Sequence, residues 1–341
     1  MRVLVVMNFG ADASTPQRGR WVIDQVNALR ESGLEIDLFS FRPGKNQYLP
    51  ATRRIRQILK ENEYDLVHAH YGLAGWCAQL AGADPLVVTF HGTDVRHRVV
   101  GRMSRLLTRR IRLVAGASRT LFEEEAGRPG LPMPEGRTAV LPCGADLSRF
   151  APIDRKEARM SLGLDPEEPF LFFPADPERP EKRADRAREV AAGAGANLRT
   201  GGGIQPEQMP LWMNAANAVL VTSDYEGFGL ACLEALACEV PVLSTPVGIA
   251  PHALRGLNRS LCLDFDQESW SDFASALVSE TNPRTSGRAR AEALSARRMA
   301  DRVALAYGDL LAPNADGGPL NHANCGGARV SGGNLGNDWE N

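Results

Sequence analysis

Short runs of β-branched and apolar residues recur along the first half of the chain, and each ends in polar or glycine-containing sequence. These runs lie at 2–7, 34–40, 65–70, 86–90, 112–118 and 138–144. The segment between the first two runs has apolar residues at helical spacing and ends near Gly33: Trp21, Val22, Val26 and Leu29. This strand–helix–strand order predicts a parallel, doubly wound α/β sheet.

A second series of strand-like runs follows a polar, proline-rich segment at 145–169, which we interpret as a linker. The second-series runs lie at 170–174, 217–223, 240–245 and 260–265. The alanine- and glycine-rich segment 183–203 has room for one helix and one short strand. We therefore predict an N-terminal domain at 1–148, a C-terminal domain at 149–284, a helix at 285–311 that crosses back to the first domain, and a disordered tail at 312–341.

Composition narrows the function classes. The 341 residues include 39 Lys and Arg against 41 Asp and Glu, so the net charge of −2 does not fit a general nucleic-acid binder. The apolar run at 3–7 is too short for a signal peptide or a spanning helix. The six cysteines are scattered and form no CxxC pair, which favours a reducing cytoplasm.

The stretch from Ser223 to Ala250 carries the most informative chemistry. A strand ends at Ser223, a loop carries Glu226, and a helix carries Glu234. The carboxyl ends of the strands are where doubly wound sheets bind ligands. Backbone N–H groups at 228–231 open the helix and suit a phosphate, and a carboxylate suits the vicinal hydroxyls of a ribose or sugar. Either Glu alone is better explained as a solvated residue, so it is the pair that indicates a site.

The two glutamates, with seven residues between them, resemble the acidic pair of the retaining GT-B glycosyltransferases, specifically glycosyltransferase family 4 (glycosyl transferases group 1). The resemblance covers about residues 1–311. It implies two Rossmann-like, doubly wound domains facing across a cleft, with the acceptor held by the N-terminal half and a nucleotide sugar by the C-terminal half. It also implies that Glu234 holds the ribose and that Glu226 contacts the transferred sugar. The remaining donor-binding positions in this stretch are the backbone residues Gly227, Phe228, Gly229 and Leu230.

Other segments resemble the family in the order that it requires: QRGRWVIDQVNALRESG (17–33), DLVHAHYG (65–72), VVTFHGTDV (87–95) and VLPCGADLSRF (140–150). The resemblance places Gly19 where the backbone approaches the donor, and it makes His91 a catalytic residue together with Glu226. A neutral His91 imidazole suits a sugar hydroxyl. Gly92 and Asp94 fall on the acceptor side, where Asp94 either orients the acceptor or caps the next helix.

His68 and His70 alternate in a strand, so we expect one of them to face the core, and a buried, hydrogen-bonded structural histidine is the better interpretation of each.

The donor diphosphate requires cations, and Arg179, Lys182 and Arg183 directly follow a strand. By resemblance, Lys182 matches the family lysine and Arg179 takes the role of the family arginine, so that they neutralise the leaving nucleotide without a metal. Arg183 is explained as well by an exposed helix start. Asp264 and Asp266 form an Asp-x-Asp that we interpret as a strand end and a helix cap rather than a metal pair.

These expectations combine in a hexosyltransferase-like, metal-independent enzyme that needs no cofactor and uses a UDP- or GDP-sugar. It transfers the sugar with retention to a glycan or lipid-linked acceptor, in polysaccharide or glycolipid biosynthesis in the cytoplasm. Two alternatives remain open. A GT-B sugar-nucleotide epimerase would need acid and base residues beside the sugar carbon. A non-catalytic nucleotide-sugar-binding relative is favoured by the short stretch between Lys182 and Glu226.

Seven arginines and no acidic residue lie between Arg96 and Arg112. Five of them step by four, three, four and three, which predicts one face of a helix: Arg98, Arg102, Arg105, Arg109 and Arg112. The apolar residues predicted to dock on the core are Val99, Met103, Leu106 and Leu107. The arginine face is either a solvated surface or a peripheral contact with an anionic membrane through Arg98, Arg102, Arg105 and Arg109, which salt would release.

Overall fold

The computed structural model describes residues 1–10, 16–123, 127 and 129–312. The segment from Pro313 onward, for which the sequence predicts disorder, lies outside these residues. The described chain forms two units. The first consists of Met1–Asn8, Leu29–Pro142 and the residues from Ala300, and the second of Phe9–Ala28 and Cys143–Met299. The unit bounds differ from the predicted domain bounds at 9–28 and 143–148, both of which belong to the second unit.

The first unit contains a six-stranded parallel sheet in the order β2-β1-β3-β4-β5-β6. Its strands are β1 (Arg2–Met7), β2 (Glu35–Ser40), β3 (Leu66–His70), β4 (Leu86–Phe90), β5 (Leu113–Gly116) and β6 (Thr138–Val140). The helices that follow them along the chain are α1 (Arg20–Glu31), α2 (Tyr48–Glu61), α3 (Gly72–Ala81), α4 (Thr93–Arg96) and α5 (Arg98–Leu107). The part of α1 up to Ala28 belongs to the second unit. Every residue of β3, β4 and β5 is buried, as expected of parallel strands that helices cover on both faces.

The second unit contains a five-stranded sheet in the order β11-β10-β9-β7-β8, again all parallel. Its strands are β7 (Phe170–Phe173), β8 (Asn197–Thr200), β9 (Ala218–Val221), β10 (Val242–Ser244) and β11 (Leu261–Cys262). The helices are α6 (Arg155–Ser161), α7 (Ala184–Gly193), α8 (Met209–Ala215), α9 (Leu230–Ala237), α10 (Ala250–Ala253), α11 (Gln267–Ser279), α12 (Arg288–Ala293) and α13 (Ala296–Leu311), which continues into the first unit. The prediction of one helix and one strand within 183–203 is confirmed by α7 and β8.

The segment 145–169 is more structured than the predicted linker. It contains α6, and the Arg159 side chain on that helix is buried. The Arg159 guanidinium donates at 2.9 Å to the carbonyl of Ala215 and at 2.9 Å to Oδ1 of Asn217. A polar sequence is therefore compatible with a packed helix here, because buried acceptors satisfy the arginine.

The helix predicted at 285–311 is two helices, α12 and α13. Between them the chain leaves helical geometry to pair with residue 145. Ala145 N–H donates to the carbonyl of Leu294 at 3.1 Å, and Ala296 N–H donates to the carbonyl of Ala145 at 2.8 Å. These strand-like bonds interrupt the helical ladder.

Helix α5 also differs from the sequence prediction. It ends at Leu107, so Arg109 and Arg112 lie beyond it. Leu107 is buried as predicted, but Val99, Met103 and Leu106 are 59%, 39% and 49% exposed. The inward positions are filled instead by small residues, Gly101 and Ser104, which allow close packing. A Cβ at Gly101 would lie 2.1 Å from the carbonyl oxygen of Val95.

Within the described chain, no helix combines the length and apolar composition that a membrane span requires.

Candidate functional site

In the second unit the structure brings Lys182 and Glu226 together. Lys182 Nζ donates to both carboxylate oxygens of Glu226, at 2.7 and 2.6 Å. Ser223 Oγ donates to the same carboxylate at 2.7 Å. Because both charged side chains are only 13% exposed, the ion pair is weakly screened by solvent. The three side chains form a preorganised polar cluster beside the carboxyl end of β9.

Hydrogen bonds from the strand ends fix this cluster. Thr222 Oγ1 donates to the carbonyls of Lys182 and Arg183 at 3.0 and 2.9 Å, which ties the segment after β7 to the end of β9. Thr245, after β10, donates to the carbonyl of Ser223 at 2.6 Å. The segments that follow three neighbouring strands are thus joined, and the Lys182–Glu226 geometry follows from the sheet order.

The loop 226–229 is held by the turn after β10. Ile249 N–H donates to the carbonyl of Phe228 at 2.7 Å. Gly248 has φ +55°, and a Cβ there would lie 2.3 Å from the Phe228 carbonyl oxygen. Only glycine allows this close approach without strain. The turn therefore fixes the loop that carries Glu226.

Helix α9 begins directly after this loop. Gly229, at φ +89°, turns the chain into the helix. No described residue accepts a hydrogen bond from the N–H of Leu230 or Ala231. Free N–H groups and the helix dipole together favour an anion at this end.

Glu234 lies one turn into α9. Burial raises its pKa to about 8; nearby Arg149 opposes this shift and Asp24 adds to it. Among the residues that the structure describes, none donates a hydrogen bond to the Glu234 carboxylate. The side chain is therefore a half-buried acid with its oxygens available to a ligand.

Beside Glu234 lies an ion-pair network that sequence reasoning missed. Buried Asp24 accepts from Arg20 Nε at 2.8 Å and from Arg149 Nη1 at 2.9 Å. Arg149 also donates to the carbonyl of Pro206 at 2.9 Å. Arg20 directly follows Gly19, and Arg149 lies in the GADLSRF segment. Both arginines thus lie in motifs that the sequence had already indicated, which was a signal that they belong to the site. The pairing itself joins residues 125 positions apart and has no local signature.

The other predicted cations do not join the cluster. Arg179 is half exposed and is paired with Glu181 at 2.6 Å. Arg183 is paired with Asp185 at 2.6 Å and with Asp224 at 3.1 Å. Of the three cations, only Lys182 contacts Glu226.

Gly19 has φ +73°, and a Cβ there would lie 2.6 Å from the carbonyl oxygen of Phe9. The structure thus explains the need for glycine at this position by the close contact with Phe9. Approach to a donor at Gly19 stays a prediction.

In the first unit, the buried rings of His68 and His70 form a cluster with the half-buried ring of His91. His68 is hydrogen-bonded through Nδ1 to the Tyr307 hydroxyl at 2.6 Å and through Nε2 to Thr89 Oγ1 at 2.7 Å. This confirms it as a satisfied structural histidine. His70 Nδ1 lies 3.0 Å from His91 Nε2. The expectation that only one of His68 and His70 faces the core is wrong, because residues two apart on a strand share a face, and both rings are buried 4.3 Å apart.

The histidines of this cluster are neutral at physiological pH. Burial lowers the pKa of His91 to about 4 and that of His68 to about 3, and it holds the pKa of His70 well below its usual value. A neutral imidazole both donates and accepts, so His91 has the protonation state that contact with a sugar hydroxyl requires.

Asp94 is fully buried and fastens the loop that carries His91. One carboxylate oxygen accepts from the N–H groups of His91 and Gly92, at 3.0 and 2.9 Å. The other accepts from the N–H of Gly72 at 2.9 Å. Burial raises its pKa to about 6, while these backbone bonds lower it. Two roles were considered for Asp94, orientation of the acceptor and capping of the next helix. The structure shows a role that resembles capping, because the carboxylate accepts hydrogen bonds from backbone N–H groups.

The Asp-x-Asp is placed as the sequence predicts. Asp266 is the N-cap of α11 and accepts from Ser269 N–H at 3.0 Å. The carbonyl of Asp264 accepts from the Trp270 indole at 3.3 Å. No group of three or more metal-ligating side chains occurs in the described part of the chain.

Two all-parallel α/β sheets, with a polar cluster at the strand ends of the second, define the GT-B class, and comparison with solved structures agrees. A sucrose-phosphate synthase from Thermosynechococcus elongatus superposes with a TM-score of 0.67 at 19% identity, covering 91% of this chain and 99% of that one. HepE from Anabaena, solved in complex with UDP-glucose, gives a TM-score of 0.65 at 17% identity, covering 90% and 99%.

Sequence comparison resolves the family. Residues 19–149 match Glycosyltransferase Family 4, and residues 178–292 match Glycosyl transferases group 1. A D-inositol 3-phosphate glycosyltransferase from Actinosynnema mirum is 30% identical over 72% of this chain and 72% of its own length. One from Mycobacterium avium is 30% identical over 68% and 65%. The chain belongs to the GT-B glycosyltransferases of family 4 type, and it is an enzyme of this kind.

Proposed function

We propose that the chain is a retaining glycosyltransferase that moves a hexose from a UDP- or GDP-sugar to an acceptor hydroxyl. The observation that carries this proposal is the Lys182–Glu226–Ser223 cluster, which lies beside the open N-terminus of α9. A cation, free backbone N–H groups and two carboxylates on one loop and helix match the parts of a nucleotide-diphosphate sugar.

In this proposal each part of the donor has its own partner. Glu234 accepts the ribose hydroxyls, and the backbone from Gly227 to Leu230 receives the diphosphate. Lys182 neutralises the leaving phosphate, assisted by Arg179 once that side chain leaves Glu181, so no metal is needed. Glu226 then accepts from a hydroxyl of the sugar. The solved structures of HepE with UDP and with UDP-glucose support this class of donor.

The acceptor side is assigned to the first unit. His91, held by the Asp94-fastened loop and by its contact with His70, binds a hydroxyl of the reacting sugar as a neutral imidazole. Gly92 allows the turn at this point, since its φ is +115°. Asp94 acts here through His91 and Gly92, as a positioning residue.

The reaction is a front-side displacement. The bond between the sugar anomeric carbon and the phosphate oxygen breaks while the acceptor oxygen bonds to the same face of that carbon. The acceptor oxygen is itself the nucleophile, and its proton passes to the departing phosphate oxygen. Retention follows because the bond forms on the face from which the leaving group departs.

The acceptor and the place of action are proposed more broadly. The relatives named for D-inositol 3-phosphate make that compound the first soluble acceptor to test. A glycan or glycolipid acceptor at the cytoplasmic face of a membrane, in polysaccharide or glycolipid synthesis, is the other, and the exposed arginines after Asp94 favour it.

The test is mass spectrometry of products formed from UDP-, GDP- and dTDP-sugars, with inositol 3-phosphate in one arm and extracted glycolipid in the other. The proposal expects a product heavier than its acceptor by one hexose, and no product from the Glu226→Gln variant. Chromatography before the mass spectrometer separates an epimerised donor from the starting donor of the same mass, and such a product without transfer would indicate an epimerase instead. Donor binding without any turnover would indicate a binding protein.

A further inference from the structure

An apolar surface lies on the outside of the first unit, where α3 and α5 pack together. On α5 its members are Val99, Met103 and Leu106, which are spaced by four and three residues and therefore form one row. On α3 the exposed member is Leu80, which is 60% exposed. We call these four side chains the α3–α5 patch.

Trp76 joins the two helices beneath the patch. Its indole Nε1 donates to the carbonyl of Met103 at 3.0 Å, and its ring is only partly buried. Leu80 lies one turn further along α3. A partly solvent-exposed tryptophan beside exposed aliphatic side chains is typical of surfaces that lie at a membrane–water boundary.

Positive charge is concentrated on α5 and directly after it. Five exposed arginines form no ion pair within the described residues: Arg98, Arg102, Arg109, Arg110 and Arg112. Arg105 differs, because it donates to the carbonyls of Val95 and Pro129 at 3.4 and 3.2 Å and so faces the protein. Between Gly72 and Arg112 the acidic residues are Asp84 and Asp94, and Asp94 is buried.

We propose that the α3–α5 patch inserts shallowly into an anionic lipid bilayer, with Arg98, Arg102, Arg109 and Arg110 on the headgroups. An anionic bilayer fits both features, because its headgroups carry negative charge that attracts the arginines. The boundary of its acyl chains can bury Val99, Met103 and Leu106. A nucleic acid would bind the arginines through its phosphates but would not bury the apolar side chains. The proposal rests on the proposed function for its purpose, which is to bring the enzyme to a lipid-linked acceptor.

The exposed apolar row changes the expectation for salt. A purely electrostatic contact, as the arginine spacing alone predicts, is released when salt screens the charges. Insertion of aliphatic side chains adds a part that does not depend on ionic strength. Binding should therefore fall with salt but not vanish.

The test is co-sedimentation of the full chain with vesicles of phosphatidylglycerol and phosphatidylcholine, at low salt and at roughly 0.5 M salt. The wild type should bind the anionic vesicles in both, and neutral phosphatidylcholine vesicles weakly. The Val99→Ser, Met103→Ser, Leu106→Ser triple variant should lose roughly tenfold or more in partitioning and should be released fully by salt.

Matched controls separate this surface from general effects. Leu305→Ser removes a leucine from α13 that is 60% exposed, against 49% for Leu106, and should bind like the wild type. Arg98→Glu with Arg102→Glu should weaken binding, whereas Arg297→Glu with Arg298→Glu, the same change of charge elsewhere, should not. The proposal is overturned if the wild type does not bind anionic vesicles, or if the triple serine variant binds as well as the wild type.

Nucleotide-sugar binding in solution distinguishes the two proposals. All of these surface variants should bind UDP-glucose as the wild type does, because the patch lies outside the Lys182–Glu226 cluster. Vesicle binding without sugar transfer would contradict the proposed function and leave the α3–α5 patch in place. Transfer to a soluble acceptor without vesicle binding would contradict the patch alone.

Discussion

Lys182 Nζ lies 2.7 and 2.6 Å from the two carboxylate oxygens of Glu226. Neither side chain is freely solvated, so each stabilises the charge of the other before a donor arrives. In the proposed function, the diphosphate of the donor binds Lys182 and a sugar hydroxyl binds Glu226, so donor binding would replace the hydrogen bonds between the two side chains. Before a donor binds, the ion pair therefore holds both charged groups in place, since each is only 13% exposed.

Charge removal should separate Lys182 from its neighbour Arg183. We expect Lys182→Gln to lower kcat by about 100-fold or more, the range for loss of a group that stabilises developing charge. Arg183→Gln should change kcat only several-fold, on the order of a surface pair, because Arg183 already binds Asp185 and Asp224. Initial rates at saturating donor measure both. Equal losses in the two variants would remove Lys182 from the site.

Metal removal should leave the activity intact. The proposed neutralisation of the diphosphate uses Lys182 and Arg179, so transfer should proceed in excess EDTA at the untreated rate. The assay is product formation with and without chelator. Activity that disappears in EDTA and returns with Mg²⁺ or Mn²⁺ would point to Asp264 and Asp266 instead, and a variant of Asp264 would then lose it as well.

Truncation of Glu234 should weaken donor binding. If its carboxylate holds the ribose, Glu234→Ala should cost about 1.5–3 kcal/mol of nucleotide affinity, the usual worth of charged hydrogen bonds. Because the pKa of Glu234 is raised to about 8, the affinity for UDP-glucose should also rise with pH toward that value. Titration calorimetry measures both effects, with Glu234→Gln as the variant whose affinity stays flat with pH. An unchanged affinity in the Ala variant would reject the assignment.

The buried histidines should make the protein sensitive to acid. His68, His70 and His91 have lowered pKa values in the folded state, so below about pH 6.5 these three side chains bind more protons in the unfolded chain than in the folded one. Their contribution to stability is complete above that pH and is lost as the pH falls toward about 4. Thermal unfolding against pH should show this decline, with a smaller slope in His70→Asn. Equal slopes would contradict it.

The strands were predictable because parallel strands covered on both faces read as continuous apolar runs. The motifs predicted Lys182 and Glu226 as members of one site, and the structure brings these two side chains into contact. The role of Glu234 stays a prediction. The Arg20–Asp24–Arg149 network was not, because periodicity carries no information about a contact between distant segments.

Helix α5 shows a different limit of sequence reasoning. Its amphipathic pattern indicates an apolar side, but not that Gly101 and Ser104 fill the inward positions and leave Val99, Met103 and Leu106 outside. The element that packs against α5 decides which side of the helix is buried, and the sequence pattern of α5 alone does not identify that element.

The most direct test of the central claim is the anomeric configuration of the first product formed at the Lys182–Glu226 site. Proton NMR during turnover of an α-linked UDP- or GDP-hexose follows that anomeric proton in real time, with water or an added hydroxyl compound as acceptor. We expect the α configuration to appear first with the wild type and no product to form with Glu226→Gln. A β product would contradict retention, and wild-type rates in Glu226→Gln would contradict the assignment of the site.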